Sequence, residues 1–346
     1  LAHARRRLSK DPLAKASVYR RQASIQRDSG QLLSALRSIR LGIGLVGEDQ
    51  DPHRSAIRSR LLTARSGCLK FQGKHAEALT SAREALTSAE NSGDPEAMGD
   101  AHMAVHNELL YLGMRDITYG KRALALYESA GLRDAQAHAL NNLAFFEWQE
   151  GNLDGALSVY REAKTSAAAS GDSYMEVLTQ VNIAEVLIEL EEFGSAEDTI
   201  RAVLPLTRAA DLVAFQSAAY RHLARASAGQ GSFDEALAAA DHAVTLADQT
   251  GDIEERVEAL AALSTIRLAI GDFVQCLEIA DSAESLAATS EILHSLPHIL
   301  RVKGLALVGI NEPAQAATTL QKGLAFADQF NATEAERIRQ LLIDLR

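Results

Sequence analysis

GNLDGAL, Gly151 to Leu157, decides the fold, because its pattern returns at a fixed interval along the chain. Steps of forty residues reach EEFGSAE at Glu191, GSFDEAL at Gly231, GDFVQCL at Gly271 and NEPAQAA at Asn311. Looser copies precede it: GMRDITY at Gly113, GKHAEAL at Gly73 and GQLLSAL at Gly30. Self-similarity at such a period marks a solenoid, in which each unit buries its apolar face only against its neighbours.

Each of the eight units reads as two helices. In the fourth, Asp134 to Gln149 and Asp154 to Ala169 carry apolar residues at helical spacing, separated by Gly151 and ended by Gly171. Asp-Pro at 11, 51 and 94 places a capping carboxylate before a proline in the first helical turn, and Asp172, Asp211 and Asp252 repeat the cap without the proline. The units run over about 11–50, 51–93, 94–131, 132–171, 172–211, 212–251, 252–291 and 292–332, with a capping helix over 333–346 and residues 1–10 as the end of a preceding helix or a linker. Together they predict one all-α domain over 1–346, a right-handed superhelix of helix-turn-helix repeats. Pro205 and Pro297 are expected to kink or trim their helices.

Small residues recur at three fixed places. Seven positions before the turn stand Ala23, Ser66, His106, Ala144, Ala184, Ala224, Ser264 and Gly304. Twelve after it stand Gly42, Ala85, Ala125, Ala163, Val203, Ala243, Ala283 and Gly323, and five after it Ala fills six of the eight slots. Helices that stack closely need small side chains at their crossings. The third unit departs, with bulky His106 in one slot and Thr118 in another, so His106 is expected to disturb it.

With these positions in view, the chain resembles a tetratricopeptide-repeat array, with units of about 40 residues in place of the usual 34. Three stretches, ARRRLSKDPLAKASVYRRQA, LNNLAFFEWQEGNLDGAL and LPHILRVKGLALVGINEPAQAATTLQKGLAFA, are similar to the C-terminal repeat regions of bacterial class III adenylate/guanylate cyclases that carry an AAA-type ATPase module. Similar arrays end large multidomain transcription regulators. The resemblance implies a regulatory appendage, and neither the cyclase's metal-binding carboxylates nor a phosphate-binding loop is present.

Composition agrees with this reading. Apolar residues make up 47% and aromatic ones 5%, so the core is Ala, Leu, Ile and Val. No run of 18 apolar residues or signal peptide is found, which predicts a cytoplasmic location away from membranes. The chain starts at Leu1 and reads as part of a longer protein. Cys68 and Cys276 lie in distant repeats and are expected to be unpaired small core residues. Net charge is −11, split into +8 over residues 1 to 40 and −19 beyond. A nucleic-acid binder would spread positive charge more widely, so direct nucleic-acid binding is not expected.

Local chemistry is sparse. GIGLVG, Gly42 to Gly47, spells the dinucleotide fingerprint but follows an Arg-rich helix instead of a strand, so it reads as a packing glycine and a helix end. His102 and His106, four apart in HMAVH, lack the Glu of a zinc-protease helix and read as packed histidines. No cofactor, metal or catalytic grouping is called, and the chain is read as non-enzymatic.

What remains is the face formed by the first helix of each unit. Residues 13, 10, 9, 6, 3 and 2 before the turn make one stripe. Its central part holds Met103, Asn107, Leu110 and Tyr111; His138, Asn141, Asn142, Phe145 and Trp148; and Leu178, Val181, Asn182, Glu185 and Ile188. Arg20, Arg21, Arg27, Arg60 and Lys70 flank it on one side and Arg221, His222, Arg225, His298 and Arg301 on the other. Asn can both donate to and accept from a peptide backbone, and Arg can grip a carboxylate, so the stripe predicts a peptide groove for a segment with an apolar centre and acidic ends. The alternative is that Leu178, Val181 and Ile188 only pack against neighbouring helices. The leading reading is a protein–protein interaction scaffold, the regulatory repeat region of a cyclase-type signalling protein. The partner is a protein or peptide, another domain of the same chain included; a homodimer is left open. The second reading is a ligand- or peptide-sensing domain of a multidomain transcription regulator.

Overall fold

A computed structural model describes residues 11–47, 51–209 and 212–345. The cap expected at Asp211 and the segment expected over 1–10 lie outside them. The described residues form eight helix pairs and a final helix, with no strand among them. The pairs are α1 Pro12–Asp28 with α2 Leu32–Val46, α3 Pro52–Lys70 with α4 His75–Ser92, α5 Pro95–Tyr111 with α6 Thr118–Ala130, and α7 Arg133–Gln149 with α8 Leu153–Ser170. They continue as α9 Ser173–Glu189 with α10 Phe193–Ala209, α11 Val213–Gly229 with α12 Phe233–Thr250, α13 Ile253–Ala269 with α14 Phe273–Thr289, and α15 Leu296–Gly309 with α16 Pro313–Phe330. The last helix is α17, Ala332–Asp344. The fold is an all-α solenoid of helix-turn-helix repeats.

The local signals act as read. Asp11, Asp51 and Asp94 accept from backbone N–H groups of the first helical turn, as do Asp172 and Asp252. At the eight within-pair turns, Gly30, Gly73, Gly113, Gly151, Glu191, Gly231, Gly271 and Asn311 all take positive φ, between 61° and 80°. Gly42 lies inside α2 against Leu61 and Gly47 follows the last residue of α2 with φ 72°, so GIGLVG is a packing glycine and a helix end. Cys68 and Cys276 are buried and free. Pro297 sits in the first turn of α15, which a short 3-10 turn at Leu293–Ser295 precedes, and Pro205 lies inside α10, which runs on to Ala209.

The chain divides into two compact units, the first ending at Leu143 and the second beginning at Ala144, with the division inside α7. In the first unit Ala16, Ala23, Ile39 and Leu61 share one buried cluster, and Leu79, Ala82, Val105 and Leu109 another. In the second, Ala184, Ile200, Val203, Ala224, Leu263 and Ile266 join in a cluster spanning several pairs.

The third repeat differs, for a steric reason. In the eighth pair a large residue of the even helix covers a small one of the odd helix: a Cβ on Gly304 would stand 2.6 Å from Leu320 Cγ. In the third pair the sizes are exchanged, and a Cβ on Gly120 would stand 3.1 Å from the ring of buried His106. At another crossing of the same pair Tyr127 of α6 covers Gly99 of α5, where an added Cβ would lie 2.4 Å from Tyr127 Cε1. Helix α6 has lost its first turn, with thirteen residues against fifteen to eighteen in the other even-numbered helices. Its buried residues are therefore Gly120, Ala123 and Tyr127, and Ala125, expected at a crossing, is exposed. Counting back forty from Ala163 lands on Ala123, a signal that counting from Gly113 overrode.

The C-terminal end of the second unit departs in another way. Asn331 both ends α16 and caps α17, its side chain accepting from the Glu334 N–H at 2.9 Å, so no linker separates the two helices. Two residues, Gly171 and Asp172, separate α8 from α9. Ile338 and Ala335 bury α17 against Leu320 and Ala327 of α16. On another side α17 reaches the turn of the fourth repeat, where a Cβ on Gly151 would lie 3.2 Å from Thr333 Oγ1, and Arg337 reaches Glu189 of α9 at 2.6 Å.

Candidate functional site

The odd-numbered helices carry the candidate face, and each unit presents its own part. In the first unit, Asn142 of α7 donates to the Asn107 side-chain oxygen of α5 at 2.9 Å and lies 3.6 Å from Met103 Sδ. Asn141, next to it, is buried. Tyr111 is half exposed and stacks flat on His75, ring centroids 4.8 Å apart, with the Lys70 ammonium 5.2 Å from its centre. His75 in turn stands 3.1 Å from the buried Glu108 carboxylate. His138 is exposed. Arg60 donates to Asp94 at 2.8 Å and to Glu96 at 2.7 Å.

In the second unit, Phe145 is exposed and stacks on Trp148 at 5.6 Å, while Trp148 itself leans on the core around Leu157, Ile183 and Leu187. Leu178, Asn182 and Glu185 are half buried on α9, whereas Val181 and Ile188 are buried in the packing clusters and offer almost no surface. On α9 the stripe therefore splits by depth: its β-branched members Val181 and Ile188 belong to the core, and Leu178, Asn182 and Glu185 stay partly exposed.

The arginines are not free to hold a partner's acidic ends. Arg225 meets Glu189 at 2.6 Å and Glu185 at 3.5 Å. Arg221 meets Glu258 at 3.3 Å and lies 3.6 Å from Glu255. Arg301 grips Glu334 through two nitrogens, at 2.6 and 3.3 Å, and also approaches His298, which stands 3.0 Å from the Thr265 hydroxyl. His222, expected beside them, is buried instead, its Nδ1 without a hydrogen-bond partner; burial, then Arg221 and Arg225, press its imidazole well below the ordinary value. An acidic end would have to displace an internal carboxylate from Arg221, Arg225 or Arg301.

The side chains of this network largely alternate in sign from helix to helix, and both signs lie deep: Arg221, Arg225 and Arg301 are 11%, 15% and 17% exposed, Glu189 and Glu334 10% and 6%. Titration follows the pairing. Burial works against the charge of Glu334, yet Arg301 and His298 hold its carboxyl well below the ordinary range. Burial likewise opposes the charge of Glu189, which Arg225 and Arg337 hold low. Glu185, also desolvated but less closely paired, goes up. The carboxylates Glu189, Glu255, Glu258 and Glu334 escaped the sequence reading, although Glu258 sits 13 before its turn, on the stripe. Among the described residues no group of three or more His, Cys, Asp or Glu could hold a metal ion, and no helix is long and apolar enough to cross a membrane.

The sequence model of the tetratricopeptide repeat matches residues 136–168. No curated protein sequence matches the chain. Solved structures share its fold. A Rap protein complexed with competence and sporulation factor is 14% identical, with a TM-score of 0.64 over 96% of this chain and 97% of that one. The quorum sensor NprR from B. thuringiensis, in its apo form, is 14% identical, with a TM-score of 0.64 over 97% of this chain and 88% of that one. A signal-transduction ATPase with numerous domains and a tetratricopeptide-repeat sensor, from Pyrococcus horikoshii, is 13% identical, with a TM-score of 0.57 over 95% of this chain and 49% of that one. At these identities the likeness is one of fold.

Proposed function

We propose that the chain is a non-enzymatic interaction scaffold, the regulatory repeat region of a larger signalling protein, which binds a peptide segment on the face of its odd-numbered helices. The observation that carries this reading is the Phe145–Trp148 stack: an exposed aromatic plate on α7, on the same face as Asn182 and Glu185 of α9 in the next pair. A large ring left at a surface lined by fixed polar groups is the usual composition of a binding anchor. Two structures of the same fold give the reading its context: the Rap protein above holds competence and sporulation factor, and a Rap conjugation gene regulator of plasmid pLS20, 11% identical with a TM-score of 0.61, holds the Phr* peptide. A cyclase or other catalytic module elsewhere in the same protein would be the element regulated.

Trp148 is the sole tryptophan and so reports on its own surroundings. Peptides selected from a random-sequence display library on the purified chain should change its fluorescence on binding. Phe145→Ala should weaken that binding by about 1–2 kcal/mol and leave the melting temperature in place. Trp148→Ala should lower the melting temperature as well, because one side of the indole is core. Selected peptides that bind the Phe145→Ala variant undiminished would move the site elsewhere.

A further inference from the structure

We propose that α17 is a clasp, which fastens the C-terminal end of the second unit to its fourth and fifth repeats and whose release opens the inner face of that unit. Helices in a repeat stack normally touch only their neighbours. Arg337 breaks that rule, pairing at 2.6 Å with Glu189 of α9, which lies in the fifth repeat while α17 follows the eighth. Thr333 does the same at Gly151, in the turn of the fourth.

The two sides of α17 are built differently. Towards α16 it is fixed by apolar burial, through Ala335 and Ile338. Towards the fourth repeat the seam is open: a cleft of about 560 Å³ separates α17 from the Glu150–Gly151 turn, lined by Ala332, Thr333, Glu336 and Gln340. Arg337 is 37% exposed there. When Arg337 parts from Glu189 the carboxylate keeps Arg225 at 2.6 Å and the 37% exposed guanidinium turns to solvent, whereas parting α17 from α16 would expose a packed apolar seam; the α16–α17 contact survives the opening. The same helix supplies Glu334 to Arg301, so α17 occupies part of the face that carries the charge network. A segment binding that face in the second unit must wait for the clasp to open; this consequence rests on the binding role assigned above.

Amide hydrogen exchange on the full chain tests the clasp. Arg337→Gln should speed exchange in residues 332–344 and at the Glu150–Gly151 turn roughly three- to tenfold, with α15 and α16 unchanged. Glu189→Gln should do the same, the double variant should add little, and Arg337→Lys should return exchange towards wild type. Unchanged exchange in α17, or an equal rise in α16, overturns the clasp, the second because Arg337 would then be a general packing residue. For access, library-selected peptides should associate several-fold faster with Arg337→Gln than with wild type; an equal rate overturns the gating. A library that yields no binder overturns the binding role instead, and the exchange data still decide the clasp.

Discussion

His106 fills the space that in the eighth repeat belongs to Leu320, and Gly120 leaves the room that Gly304 leaves there. Two such residues are one steric unit, so they should fail to act independently. His106→Ala should cost about 2 kcal/mol or more by opening a cavity, and Gly120→Ala about 1–3 kcal/mol by overpacking against His106 and Leu143. The double variant, in which the new methyl enters the vacated space, should fall short of their sum by about 1 kcal/mol in urea denaturation; strict additivity would show that they do not share a cavity. Glu255 carries a second prediction. Burial pushes its carboxyl up from the ordinary 4.5 to about 7, against the pull of Arg221 and with the repulsion of Glu258. The folded state thus keeps a proton that the unfolded chain releases, a contribution complete below pH 4.5 and lost as pH climbs through 7. Wild type should therefore lose stability relative to Glu255→Gln between about pH 5 and pH 8; a difference independent of pH would contradict the shift. That His106 would disturb its repeat was legible from its bulk in a small slot, but the exchange with Gly120 was not, nor was the meeting of Glu255 with Arg221 of another helix.

Helix starts were legible where their chemistry is local. Asp94 shows why: its carboxylate accepts from the Glu96 and Ala97 N–H groups, with Pro95 preset in the first turn. Asp94 also receives Arg60 from α3, so Asp94→Ala should cost more than Asp252→Ala. Values of about 1 kcal/mol are expected for the cap alone and up to about 1 kcal/mol more for the added pair, read by chemical denaturation at low salt; equal losses would remove Arg60 from the account. The start of α6 was not legible. Gly113 marks its turn correctly, but residues 114–117 run outside any helix, and the helix resumes where Asp116 accepts from the Thr118 N–H and where Gly120 and Tyr127 pack against α5. The candidate face divides in the same way. The helical period located Phe145, Trp148 and Asn182, whereas the partners of Arg221, Arg225 and Arg301 lie on other helices and come together only on stacking.

For the molecule as a whole, a period of forty residues was enough to specify an all-α solenoid, since a repeated crossing demands repeated small residues and the sequence shows them. It says nothing of what the array is for, because stacking positions are selected for size and a binding face for the shape of something absent from the chain. The contact between Glu189 and Arg337 adds a constraint that no single repeat contains. Arrays of this kind gain and lose units readily, since each joint resembles the next. Here the closing partners sit on α9 and α17, so they meet only if the intervening repeats are neither too many nor too few. Removing residues 212–251 should leave a helical chain by circular dichroism in which the amides of α17 exchange as fast as in Arg337→Gln; protection retained at the wild-type level would show that the closure tolerates a change in number. The second unit thus has a copy number written into it: an unequal recombination that kept every repeat foldable would still be detected, by a carboxylate and a guanidinium that no longer meet.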